Sequence, residues 1–155
     1  MQVRICSREE FEPILRQGLP DNAAVIYFYN IGTGPLDLSS ELYDLYQVSM
    51  EAIGIELDEP NKCGLTDKTF FPEADLLAQF IFYAKAACLG IICVCENGRG
   101  PSAGCAAAIR QFFDGDGIEV FSNYYYMPNK RIYHKVFNAL IVESFERGEV
   151  HCRRR

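Results

Sequence analysis

The stretch that decides the fold joins an apolar run, Gly90-Ile-Ile-Cys-Val-Cys95, to a polar loop, Glu96-Asn-Gly-Arg-Gly100, and to a small-residue run, Pro101-Ser-Ala-Gly-Cys-Ala-Ala-Ala-Ile109. The apolar run contains β-branched residues and no charge, which predicts a buried strand. The small-residue run predicts a buried helix that begins at or near Pro101, because proline is tolerated in the first helical turn. A strand, a glycine-rich loop and a helix in this order point backbone N–H groups and the positive end of a helix at an anion.

A cysteine closes the predicted strand. Beside the loop amides and the start of a helix, the thiolate form of Cys95 is favoured over the thiol. A thiolate in an anion site is the nucleophile needed to hydrolyse a phosphate ester through a phosphocysteine. We expect Cys93 to be a buried thiol that points to the other face of the sheet, by strand alternation.

This stretch resembles the signature loop of the protein tyrosine and dual-specificity phosphatase superfamily, where His-Cys is followed by five residues, an arginine and a serine or threonine. Cys95 matches the nucleophile, Gly98 the mid-loop glycine and Ser102 the hydroxyl after the arginine. The closest resemblance is to short bacterial or phage-type members. It implies a catalytic role for Cys95 and Ser102, and a phosphate-binding role for the loop residues Glu96, Asn97, Gly98, Arg99, Gly100 and Pro101.

Two positions depart from the signature. Pro101 stands where the superfamily has its arginine, and Val94 stands where it has its histidine. The arginine holds two phosphate oxygens and stabilises charge in the transition state, whereas proline supplies no guanidinium and also lacks a backbone N–H. Arg99 lies two residues earlier and could swing over the loop. The resemblance therefore implies the fold more strongly than the activity.

The resemblance also implies an aspartic acid on a neighbouring loop, which protonates the leaving oxygen. Asp58 follows a predicted strand at residues 52–57, where such a loop begins, and is the favoured candidate. Asp67, deeper in the next loop, is the alternative. Either aspartate can instead cap a turn, a common role beside Pro, Asn or Thr.

The remaining pattern predicts alternating strands and helices. We expect an α/β three-layer sandwich with a mostly parallel central sheet of about four or five strands flanked by helices, as in the tyrosine phosphatases. Strands are predicted at residues 2–6, 23–29, 52–57 and 90–95, and helices at residues 8–16, 41–50, 72–87, 101–109 and 130–147; residues 118–121 are ambiguous.

The composition bounds the protein class. The length of 155 residues predicts a single domain, residues 1–150, followed by a basic tail, residues 151–155. The net charge of −6 argues against a nucleic-acid binder, and no apolar run is long enough to span a membrane. Seven cysteines without CxxC spacing favour a reducing, cytoplasmic compartment and give no basis for a zinc site or another cofactor.

We therefore interpret the chain as a phosphatase-like protein with a degenerate signature loop, a catalytically impaired pseudophosphatase that binds phosphate or a phosphorylated partner. The alternatives are an active cysteine-dependent phosphatase that recruits Arg99, and an interaction module without a pocket. The glycines at positions 98, 100 and 104 also loosely match a dinucleotide-binding pattern, which is weak when it occurs alone. Three tyrosines at residues 124–126 either wall a pocket for an aromatic ring or cover the core.

Overall fold

A computed structural model describes residues 1–37, 44–50 and 70–149. The strands and helices in these ranges are, in chain order, β1 (Val3–Ser7), α1 (Arg8–Gln17), β2 (Ala23–Tyr29), β3 (Asp44–Ser49), α2 (Ala74–Ala86), β4 (Gly90–Cys95), α3 (Pro101–Phe113), α4 (Ile118–Ser122) and α5 (Lys130–Glu146). The ambiguous stretch at residues 118–121 thus belongs to the short helix α4.

The four strands form one parallel sheet in the order β1-β4-β2-β3. In the register of the sheet, Ser7 of β1 pairs with Cys95, and Tyr27 of β2 pairs with Val94. Because all four strands run in the same direction, their carboxyl ends meet at one edge of the sheet, and Cys95 ends β4 at that edge. The expected parallel α/β sheet is confirmed.

Helices cover both faces of the sheet, which is why its inner strands are almost wholly apolar. On one face, Phe11 of α1 packs with Tyr27 and its neighbours. On the other face, a larger cluster joins the sheet to α2, α3 and α5 through residues such as Leu77, Ile109 and Leu140. The expected three layers are present.

Helix α1 begins with a capping box at Ser7. The Ser7 hydroxyl accepts a hydrogen bond from the Glu10 backbone N–H at 3.1 Å, and the Glu10 carboxylate accepts one from the Ser7 backbone N–H at 2.7 Å. This box fixes the β1–α1 junction, against which the loop after β4 packs.

The helix predicted at residues 41–50 is wrong where the structure describes it, because residues 44–49 form β3. The spacing of Leu45 and Val48 suited a helix, but Leu45 is half-buried on the α1 face and Val48 is buried on the opposite face. A helix places residues three positions apart on the same face, whereas an extended chain places them on opposite faces. The amide side chain of Gln47 also joins β3 to Leu36, because its Oε1 accepts from the Leu36 N–H at 2.7 Å and its Nε2 donates to the Leu36 carbonyl at 3.3 Å.

Several predicted features lie outside the described residues: the strand at residues 52–57, the candidate general acids Asp58 and Asp67, and the basic tail at residues 151–155. Within the described ranges, no helix combines the length and apolar character needed to cross a bilayer.

Candidate functional site

Cys95 and Ser102 meet at the base of the loop that follows β4. The Cys95 Sγ lies 2.9 Å from the Ser102 Oγ, a hydrogen-bonding distance, and both side chains are buried. Cys95 is placed by the end of the strand and Ser102 by the first turn of α3. The hydroxyl can therefore donate a hydrogen bond to a thiolate at Cys95.

The loop folds tightly because of Gly98. This residue has a φ of +62°, which favours glycine, and it is buried against the β1–α1 junction. A Cβ at this position would lie 2.5 Å from the Ser7 nitrogen. The Glu96 carbonyl also accepts a hydrogen bond from the Arg8 backbone N–H at 3.3 Å, so the loop is bound to the same junction at two points.

The loop amides remain available as donors. Among the described residues, none of the backbone N–H groups of residues 97–100 donates to a backbone or side-chain acceptor. Helix α3 begins after Gly100 without a side-chain cap, so its first N–H groups add positive potential at the same place. Such a set of donors suits an oxyanion.

A second segment closes the loop from the other side. The Arg99 carbonyl accepts from the Met127 N–H at 3.0 Å, and the Gly100 carbonyl accepts from the Asn129 N–H at 3.1 Å. Gly104 allows this approach, because a Cβ there would lie 2.5 Å from the Asn129 carbonyl oxygen. Asn129 in turn caps α5, its side-chain oxygen accepting from the Ile132 N–H at 3.0 Å.

The expectation that Cys93 faces away from Cys95 is wrong. Residues two apart on a strand share a face, and both thiols lie in the cluster under α3 together with Cys105. The neighbouring thiol of Cys105 and complete burial raise the pKa of Cys93 well above its ordinary value. Cys93 therefore stays a neutral thiol near pH 7 and is not a candidate nucleophile.

The two departures from the signature have clear structural settings. Val94 is fully buried on the α1 face of the sheet, between strands β1 and β2. Pro101 occupies the first helical position of α3, where its fixed φ is favourable. Arg99 lies two residues earlier in the loop, and its guanidinium Cζ is 4.6 Å from the centre of the Tyr125 ring.

The three consecutive tyrosines, expected either to wall a pocket or to cover the core, have different surroundings. Tyr126 packs against the cluster formed by Ala103 and Val120 and so covers the core. Tyr125 is about half exposed and contacts Arg99. Tyr124 is fully exposed and makes no described contact. No sequence pattern indicates the Arg99–Tyr125 pair, since residues 26 positions apart meet only through the packing of α3, α4 and the segment after them.

Comparison with solved structures places this arrangement in a known fold. The chain superimposes on PTPMT1, a dual-specificity phosphatase-like protein solved in complex with PI(5)P, with a TM-score of 0.54 and 13% identity over 95% of this chain and 94% of that one. The fold is that of the protein tyrosine and dual-specificity phosphatases.

A leucine-rich-repeat and phosphatase-domain protein from Entamoeba histolytica is a weaker match, with a TM-score of 0.48 and 9% identity over 96% of this chain and 91% of that one, a similarity too low to assign a fold. No protein-family model and no curated protein matches the sequence. At such low identity the comparison establishes the phosphatase-like fold alone, and the chemistry of the site has to be argued from its own residues.

Proposed function

We propose that this protein binds inorganic phosphate or a phosphate monoester in the loop of residues 96–101 and is catalytically impaired, a pseudophosphatase. The observation that carries the proposal is the 2.9 Å contact between Cys95 Sγ and Ser102 Oγ beneath the loop, whose residue 101 is a proline. The amides of residues 97–100 and the start of α3 supply donors for the anion.

The loss of catalytic activity is inferred from the missing positive charge at position 101. A phosphoryl transition state carries charge on its equatorial oxygens, and a bidentate guanidinium stabilises it as it forms. Pro101 offers neither a guanidinium nor an N–H, and loss of one good electrostatic donor costs about 100- to 1,000-fold in rate. A loop that keeps its amide donors but lacks the arginine at position 101 favours phosphate binding over hydrolysis. We propose a phosphorylated protein as the partner of such a site.

The second candidate is an active cysteine-dependent phosphatase. Its support is Arg99, a cation within the loop itself. In that case the Cys95 thiolate attacks phosphorus, the ester oxygen leaves with a proton from a general acid such as Asp58, and water then hydrolyses the phosphocysteine to release phosphate.

Two measurements test the proposal. In ¹⁵N-labelled protein, we expect inorganic phosphate, but not chloride at equal ionic strength, to shift the amide signals of Asn97, Gly98 and Gly100 saturably. Hydrolysis of an aryl phosphate is expected to be no faster for the wild type than for Cys95→Ser. Absence of loop shifts would contradict phosphate binding and favour an interaction module, whereas hydrolysis far above that of Cys95→Ser would establish the active alternative.

Titrations with phosphotyrosine and with a soluble inositol phosphate then compare two possible sources of the phosphate monoester, a phosphorylated protein and a phosphoinositide headgroup. Both ligands present the same dianion, so tighter binding of one identifies the group beyond the phosphate that the site prefers. Equal affinities would mean that the loop recognises the phosphate alone.

A further inference from the structure

Arg99 is bound to the neighbouring segment through both its backbone and its side chain. Its carbonyl accepts from the Met127 N–H at 3.0 Å, and its guanidinium lies over the Tyr125 ring, with Cζ 4.6 Å from the ring centre. This distance is within the range of a cation–π interaction. The side chain is therefore held at a defined place on the rim of the loop, although it is exposed to solvent.

The Tyr125 ring is itself fixed. Its backbone N–H donates to the Asn123 side-chain oxygen at 3.0 Å, and its ring meets the Tyr126 ring edge-on, with centres 5.3 Å apart. Tyr126 packs in turn on the cluster around Val120. The aromatic surface under Arg99 is thus anchored to the core of the domain.

Stacking leaves the hydrogen-bonding capacity of Arg99 unused. A guanidinium that lies on an aromatic face keeps its N–H donors in its own plane, pointing outward. Within the described ranges, the Arg99 side chain makes no hydrogen bond or ion pair with a protein acceptor. These donors lie in the same loop as the free amides of residues 97–100.

We propose that Arg99 is the cation of the anion site and that Tyr125 is the residue that positions it. This inference rests on the proposed binding of phosphate by the loop and adds the groups that determine its affinity. Arg99 belongs to the same loop as the amides proposed to bind the anion, and Tyr125 restricts the guanidinium so that less conformational entropy is lost on binding. The pair partly compensates for the missing arginine at position 101.

A double-mutant cycle tests the assignment, with inorganic phosphate as the probe and the loop amide shifts as the readout. We expect Arg99→Ala to weaken phosphate binding about tenfold, as for loss of a charge-assisted hydrogen bond. Tyr125→Ala is expected to weaken binding about two- to fivefold in the wild type, the range of an exposed cation–π contact, and not at all in the Arg99→Ala background.

Two further variants separate positioning from general damage to the loop. Tyr125→Phe keeps the aromatic face and is expected to bind phosphate like the wild type. Tyr124→Ala removes the adjacent, fully exposed tyrosine and is expected to have no effect. The amide spectrum of each variant outside residues 96–101 and 123–129 reports whether the fold is intact.

The outcomes are distinguishable. If the wild type binds phosphate but Tyr125→Ala has no effect, or has the same effect with and without Arg99, the positioning role is overturned while the proposed function stands. An unchanged affinity in Arg99→Ala overturns its role as the cation. If the wild type shows no phosphate-dependent shifts, the proposed function fails, and this inference fails with it.

Discussion

Gly98 lies so close to Ser7 that a Cβ on the glycine would be 2.5 Å from the Ser7 nitrogen and 2.8 Å from the Cys6 carbonyl carbon. Both neighbours are backbone atoms of the β1–α1 junction, so neither can rotate away. The candidate anion loop therefore owes its shape to a contact with a part of the chain more than 90 residues earlier, as well as to its own glycines.

Replacement of Gly98 by alanine tests this contact. We expect Gly98→Ala to lower the free energy of unfolding by about 2–5 kcal/mol, because a left-handed alanine costs about 1–2 kcal/mol and overpacking adds about 1–3 kcal/mol. Gly34→Ala is a matched control, with a φ of +65° and no atom within 4 Å of its new Cβ. Urea unfolding of both variants gives the comparison, and equal losses would show that the Ser7 contact is unimportant.

A second glycine controls the distance between α3 and the start of α5. Alanine in a helix is normally more favourable than glycine by about 1 kcal/mol. Gly104→Ala is expected to do the reverse and destabilise the protein by about 1–3 kcal/mol, because its Cβ would lie 2.5 Å from the Asn129 carbonyl oxygen. Thermal unfolding measures the effect. Gly90→Ala, whose nearest neighbour is at 3.6 Å, is the control, and a gain in stability for Gly104→Ala would refute the close contact.

The hydrogen bond between Ser102 and Cys95 is expected to affect the reactivity of the Cys95 thiol. Ser102→Ala removes the hydroxyl 2.9 Å from the Cys95 sulfur, and we expect the reaction of Cys95 with iodoacetamide at pH 7 to slow several-fold, because the thiolate loses a donor. Peptide mass spectrometry distinguishes Cys95 from the other thiols, and the exposed Cys88 provides an internal reference. Ser122→Ala, at an exposed serine, controls for unspecific effects. An unchanged rate at Cys95 would mean that the hydroxyl does not support the thiolate.

Restoration of the signature arginine tests whether the loop keeps a catalytic shape. We expect Pro101→Arg to raise aryl-phosphate turnover about 100- to 1,000-fold over the wild type, the usual contribution of such an electrostatic donor. Pro101→Lys supplies a charge without the planar fork and should gain less. Addition of Cys95→Ser should abolish any gain.

The missing histidine is tested afterwards, since Val94→His places an imidazole in the buried cluster on the α1 face and carries its own cost in stability. A folded Pro101→Arg variant without turnover, with or without this second change, would show that the loop has drifted from the catalytic geometry.

Much of the site follows from local sequence, because its elements are continuous in the chain. The apolar run that ends at Cys95 and the helix that begins at Pro101 form where the sequence predicts them. The prediction failed at residues 44–49, where helical spacing of apolar residues coincided with a strand that is mostly half-buried and has apolar contacts on both faces. It also failed at Cys93, where alternation was misapplied to residues two positions apart.

The sequence by itself determined the alternation of strands and helices, the loop with its cysteine, and the absence of an arginine at position 101, because these depend on neighbouring residues and on residue identity. Only the tertiary structure decided that Gly98 is wedged against Ser7 and that Arg99 lies on Tyr125. Contacts between distant segments depend on how the helices pack on the sheet, and no local propensity encodes that packing.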